Sequence, residues 1–326
     1  MKTKPQKIIL GAAIVLVGVA GVLAYQNRTT ISDWFSGFSY TATPEMSSLE
    51  QSIDLTGQGT LILHATHPSL EGRETFNSRC DSHDEKISIL GCYVKNHIYL
   101  YDINENELPG VRESTLAHEL LHAAWERLSS SEKNNIAKNL TAVYNDEKYH
   151  DLLSEDLENY EDADRIDELH SRIGTEIKDL PEVLESHYAK YFKNQDAVVD
   201  FYDGYITPFR ELSKKIDELS AKIQSLDSEI EEKTKAYYAA AEQLSVDIDE
   251  FNNCANTSGC FASETAFRTK RNELVSRKAS LDEEYESVNN KIKEYNKLIQ
   301  EYNDSVVHGQ TLESMINSNA NVEEIK

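Results

Sequence analysis

The longest periodic signal lies in the C-terminal third of the chain. Leu212, Ile216, Leu219, Ile223, Leu226, Ile230, Tyr237 and Leu244 recur at alternating four- and three-residue steps, with Lys233 and Ala240 filling the register. Phe267, Leu274, Leu281, Tyr285, Val288, Ile292, Tyr295, Ile299 and Tyr302 repeat the pattern. Apolar heptads of this length predict coiled-coil helices. Between the arms lies a polar stretch from Asn252 to Cys260 that breaks a helix. The pattern therefore predicts an antiparallel helical hairpin over residues 208–308, entered at Pro208, with a flexible tail over 309–326.

Upstream the period shortens. Residues 59–64, 87–94 and 97–103 read as strands, the last with the alternation of a half-buried sheet. Lys95-Asn96 between the second and third predicts a tight hairpin turn. Helical patterns follow. Residues 115–128 contain neither Gly nor Pro and are good helix formers. Ser129 with Glu132 reads as a capping box that opens the next helix, with Ile136, Leu140 and Val143 on its apolar stripe. A helix over 161–173 buries Ile166, Leu169 and Ile173, with Gly174 as its C-cap. Another over 180–193 has Pro181 in its first turn. Strands followed by helices define an α+β domain over residues 51–207.

The N-terminus has a different character. Lys2, Lys4 and Lys7 precede an uncharged apolar run from Ile8 to Ala24. This reads as a cytoplasmic basic flank (1–7) and a transmembrane anchor (8–25), so the remainder is expected outside the cytoplasm, attached to the cell membrane by one pass. Ala24 also offers a small residue for signal cleavage, and the length of the run favours an uncleaved anchor. Residues 26–50, with Trp34, Phe35, Phe38 and Tyr40, read as a juxtamembrane linker whose aromatics suit a membrane interface.

The chain has 326 residues, enough for one or two domains with a real core. Its formal net charge of -24 repels a phosphate backbone and argues against nucleic acid as a partner. Four cysteines fall in two close pairs, which predicts the disulfides Cys80–Cys92 and Cys254–Cys260 on the oxidising side of a membrane. Neither pair has the spacing of a zinc knuckle.

The chemistry concentrates in the helix over 115–128, which contains His118, Glu119 and His122 in the order His-Glu-x-x-His. Residues four apart on a helix share a face, so both imidazoles can aim at one zinc ion. Glu119, about 100° further round, is placed to act as general base rather than ligand. Leu121, Trp125 and Leu128 form the face that enters the core.

On these residues the chain resembles the zincin metallopeptidases. The metzincin branch is excluded, because Trp125 and Leu128 stand three and six residues after His122, where that branch has Gly and His. The gluzincins remain, and the resemblance implies a Zn2+ ion, a third ligand Glu on a later helix, and a small sheet one of whose strands takes an extended peptide. The strand around Tyr99 and Tyr101 is the expected one. Glu161, Asp164, Glu168, His170 and Glu176 are the acidic or imidazole candidates on the later helix. Glu168 is selected because it sits beside Leu169 on the buried side, where a carboxylate needs a charge partner; Glu176 and His170 stay open. Asp164 or His170 would orient a ligating imidazole. His187, Tyr188 and Tyr202 are open as oxyanion donors.

Two functions follow. One is a membrane-anchored zinc metalloendopeptidase that hydrolyses a peptide or protein substrate with Glu119 as base. The other is a non-catalytic surface scaffold or adaptor, in which the hairpin engages a protein partner and the metal site is structural or vestigial.

Overall fold

The computed structural model describes residues 28–80, 90–103, 107–154, 157 and 162–318. They form two compact units, one through Pro208 with the C-terminal residues from Leu312, the other spanning Phe209–Thr311.

The first unit is predominantly helical, which corrects the expected α+β class. Its elements are α1 (Arg28–Phe38), α2 (Pro44–Ser52), α3 (Gly57–Ala65), β1 (Ser69–Glu71), α4 (Arg73–Cys80), β2 (Gly91–Val94) and β3 (His97–Tyr101). There follow α5 (Val111–Glu126), α6 (Ser130–Tyr144), α7 (Glu147–Ser154), α8 (Asp162–Glu176), α9 (Glu182–Tyr188) and the start of α10 (Gln195–Ala255). The only sheet among the described residues has three short strands in the order β1-β3-β2.

The strand expected over 59–64 is helix α3. Thr56 caps it by accepting a hydrogen bond from the Gly59 amide, and the apolar run Leu61-Ile62-Leu63 fits a buried helix as well as a strand. The first strand is Ser69–Glu71 instead, parallel to β3. β2 and β3 form the expected hairpin. Lys95 and Asn96 both have positive φ, 51° and 63°, the backbone that a two-residue turn of this hand requires.

Helix α5 runs through the centre. Leu116, Ala117, Leu120, Leu121, Ala123 and Ala124 are fully buried. Each leucine there contributes about 1.5–3 kcal/mol of transfer free energy. Helix α8 packs across α5. It does not stop at Gly174 as expected, but continues to Glu176. Gly174 serves close packing: a Cβ there would stand 2.4 Å from Leu121 Cδ1 and 2.6 Å from Tyr188 Cε1. The capping box of α6 forms as read, with Ser129 N donating to Glu132 Oε2 at 2.9 Å and Glu132 N donating to Ser129 Oγ at 3.3 Å.

The expected linker over 26–50 is replaced by α1 and α2. Helix α1 is fixed to the body by Asp33, which is buried against Arg127, while Trp34, Phe35 and Phe38 are exposed. Residues 8–25, on which the membrane anchor rested, lie outside the described residues. Among the described residues no helix is long and apolar enough to cross a membrane. The two long helices carry charged residues on every few turns, so length alone does not suit them to lipid. The transmembrane helix, the membrane as a partner and the single-pass cell-membrane location are accordingly not carried forward.

In the second unit, α10 and α11 (Glu264–Ile316) lie antiparallel. Arg277 pairs with Asp247, Lys291 Nζ lies 2.9 Å from Glu229 Oε2, and Tyr237 meets Tyr285. Leu219, Leu226, Leu244 and Leu274 are buried in the seam. Tyr285 and Ile292, expected in it, are 51% and 39% exposed, since two helices alone cannot enclose side chains at the edge of their contact. Phe251, Phe261 and Phe267 cluster at the tip. The expected tail from 309 is helical as far as Ile316. Both predicted disulfides are present, Cys80–Cys92 with Cα atoms 6.0 Å apart and Cys254–Cys260 with 5.4 Å.

Candidate metal centre

Helix α5 presents His118 and His122 one turn apart, with their Nε2 atoms 3.1 Å from each other. Helix α8 crosses them so that Glu168 Oε1 lies 3.6 Å from His118 Nε2 and Glu168 Oε2 lies 3.4 Å from His122 Nε2. One ligand atom from each residue fits within 4.8 Å of the others. Three ligands at 2.0–2.1 Å in a tetrahedral arrangement are separated by about 3.3–3.4 Å. The two imidazoles and the carboxylate therefore fit a zinc ion in both spacing and donor type.

The electrostatics of the cluster agree with the geometry. Burial disfavours charge on His118, but the Glu168 carboxylate outweighs it and raises the imidazole above its ordinary value. Burial acts the same way on His122, where hydrogen bonds to Asp167 and Glu168 raise it well above the ordinary value. Burial also favours a neutral Glu168, yet the two imidazoles hold its carboxyl well below the usual range. The carboxylate thus favours positive charge at the point where the three side chains meet. A divalent cation at the same point would supply that charge.

Asp167 supplies the orienting contact. Its Oδ1 lies 2.9 Å from His122 Nδ1. Asp164, expected in such a role, is exposed. The sequence does carry a signal for Asp167: adjacent carboxylates about 100° apart on a helix can face an ion and the outer nitrogen of its ligand.

The remaining candidates are elsewhere. Glu176 is buried and ion-paired to Arg172 at 3.0 Å, and Arg172 also donates to Leu152 O. His170 points into the core, with its Nε2 2.8 Å from His187 Nε2 and its ring against Trp125. Tyr188 is fully buried and donates to His170 O at 2.8 Å. His187 and Tyr188 thus form part of the core behind α8, and Tyr202 packs against Tyr205. Glu161 lies outside the described residues.

Glu119 is 6% exposed and sits against β2, beside Gly91. The sheet topology corrects the expected peptide strand. β3, which carries Tyr99 and Tyr101, is central and hydrogen-bonded on both edges, so it has no edge to offer. Among the described residues β2 is an edge strand, and it runs along α5.

No family model matches the chain, and no curated protein or solved structure matches it either. The functional reading therefore rests on these residues.

Proposed function

We propose that this chain is a zinc-dependent metallopeptidase. The observation that carries the proposal is the convergence of His118, His122 and Glu168, with Asp167 bound to the outer nitrogen of His122. Two imidazoles and one carboxylate are the donor set of catalytic zinc sites that keep a fourth position open.

His118, His122 and Glu168 would hold the ion. Bound zinc supplies Lewis-acid polarisation of a carbonyl and acidifies water. Glu119 takes a proton from the attacking water and delivers it to the leaving amide nitrogen, so that a C–O bond forms as the C–N bond breaks. Its neighbourhood suits this work, because burial beside two imidazoles keeps bulk water from competing for the carboxylate. β2 offers main-chain donors and acceptors to an extended peptide lying along α5.

The test is elemental analysis of the purified full chain, followed by cleavage of fluorescein-labelled casein. Wild type is expected to hold near-stoichiometric zinc, and His118→Ala and Glu168→Ala to lose it. Glu119→Gln keeps the metal while turnover drops by at least about 10²-fold, the usual contribution of a general base. A fully active Glu119→Gln protein overturns the proposal. So does a wild type that takes up no zinc, an outcome that would shift the function to the hairpin as a scaffold.

A further inference from the structure

We propose that Gly91 is a positioning residue for Glu119; the inference rests on the peptidase reading above and assigns the residue that seats its base. Gly91 opens β2, and its backbone lies closer to Glu119 than any side chain would allow. A Cβ at Gly91 would stand 2.8 Å from both Cγ and Oε1 of Glu119, and 2.6 Å from Thr115 Cγ2. Carbon atoms in contact prefer separations of about 3.5–4.0 Å. Thr115 is held in place one turn before Glu119 by its own hydrogen bond, Oγ1 to Val111 O at 2.7 Å.

The strand cannot retreat to make room. Cys92, the next residue, is joined to Cys80 on the opposite face. Tyr93 donates to Glu126 and accepts from Arg127 Nη1 at 3.2 Å. Arg127 in turn grips Asp33 through two hydrogen bonds of 2.8 and 2.9 Å. All four residues of β2 also pair with β3. With strand and helix both clamped, the Glu119 side chain is the part that yields to a methyl group at 91. Gly91 therefore acts through Glu119, as a bare stretch of main chain against which the carboxylate is seated.

The experiment uses the full chain loaded with zinc, with fluorescein-labelled casein as the probe. Gly91→Ala is expected to keep its zinc and its KM while kcat falls about 10²-fold, the loss typical of an ångström-scale misplacement. Adding Thr115→Ser removes one of the two collisions. It is expected to restore part of the melting temperature but not kcat, because the Glu119 contact persists. A thermal cycle in the Thr115→Ser background, where the Glu119 contact alone remains, supplies a readout without activity: there Gly91→Ala should lower the melting temperature by a few degrees, and by much less when Glu119→Ala is also present. Unchanged kcat in Gly91→Ala overturns the inference. So does joint recovery of kcat and stability on adding Thr115→Ser, or an equal thermal penalty with and without Glu119→Ala. If wild type cleaves no casein, the peptidase reading fails alone, and the thermal cycle still decides whether Gly91 seats Glu119.

Discussion

Asp167 Oδ1 accepts from His122 Nδ1 at 2.9 Å, on the far side of the ring from the Nε2 that faces His118 and Glu168. A proton on Nδ1 leaves the Nε2 lone pair for a metal, so this contact sets both the tautomer and the aim of the ring. Asp167→Ala is expected to weaken zinc binding about 10–100-fold, read by competition against a chromogenic chelator. Glu168→Ala, by comparison, should lose the metal outright. Unchanged affinity in Asp167→Ala would mean that packing alone orients His122.

Arg127 ties α1, β2 and the end of α5 together. Its pair with Asp33 is bidentate, and the two side chains are only 10% and 9% exposed. Removing one partner strands a buried charge at a cost of about 3–5 kcal/mol. Arg127→Ala should therefore unfold well below wild type in a thermal melt. Arg127→Lys should also be destabilised, because an ammonium cannot reproduce the fork. Arg127→Met combined with Asp33→Leu is expected to lose less than Arg127→Met alone, and equal losses would count against a buried charge as the cause.

His187 makes stability depend on pH. Burial, aided by Lys190, pushes its pKa from the ordinary 6.5 down to about 4, with the Glu132 carboxylate opposing. Its ring faces His170, which burial and His187 hold well below the ordinary imidazole value. Between pH 6.5 and about 4 the unfolded chain binds a proton at His187 that the folded chain refuses. Stability from this residue is therefore complete above that window and is lost as pH falls through it, by up to about 3 kcal/mol. Urea midpoints of metal-stripped protein across this range should slope more steeply for wild type than for His187→Gln. Parallel slopes would remove His187 as the source.

Much of the local structure is legible in the residues. The capping box at Ser129 and Glu132, the Lys95-Asn96 turn and the two cysteine pairs all depend on groups a few positions apart. Misread elements share a cause. Leu61-Ile62-Leu63 satisfies helix and strand alike, and the N-cap at Thr56 settles it as α3. Gly174 looks like a helix stop, yet Leu121 and Tyr188 occupy the space where its side chain would be. Tyr99 and Tyr101 sit in an alternating strand, but alternation says nothing of which neighbours that strand will have.

His118 and His122 were bound to meet once their segment became a helix, because a spacing of four is one turn. That much, together with Glu119 beside them and the heptads of the hairpin, the sequence determined by itself. Which carboxylate completes the cluster was a tertiary matter: Glu168, Glu176 and His170 share one helix, and the crossing of α8 over α5 brings Glu168 to the imidazoles while pairing Glu176 with Arg172 and turning His170 into the core. The seating of Glu119 on Gly91 and the choice of β2 as the edge beside it are decided in the same way. Periodicity encodes which face of an element is apolar; contacts between elements distant in sequence arise only when those faces are buried against one another.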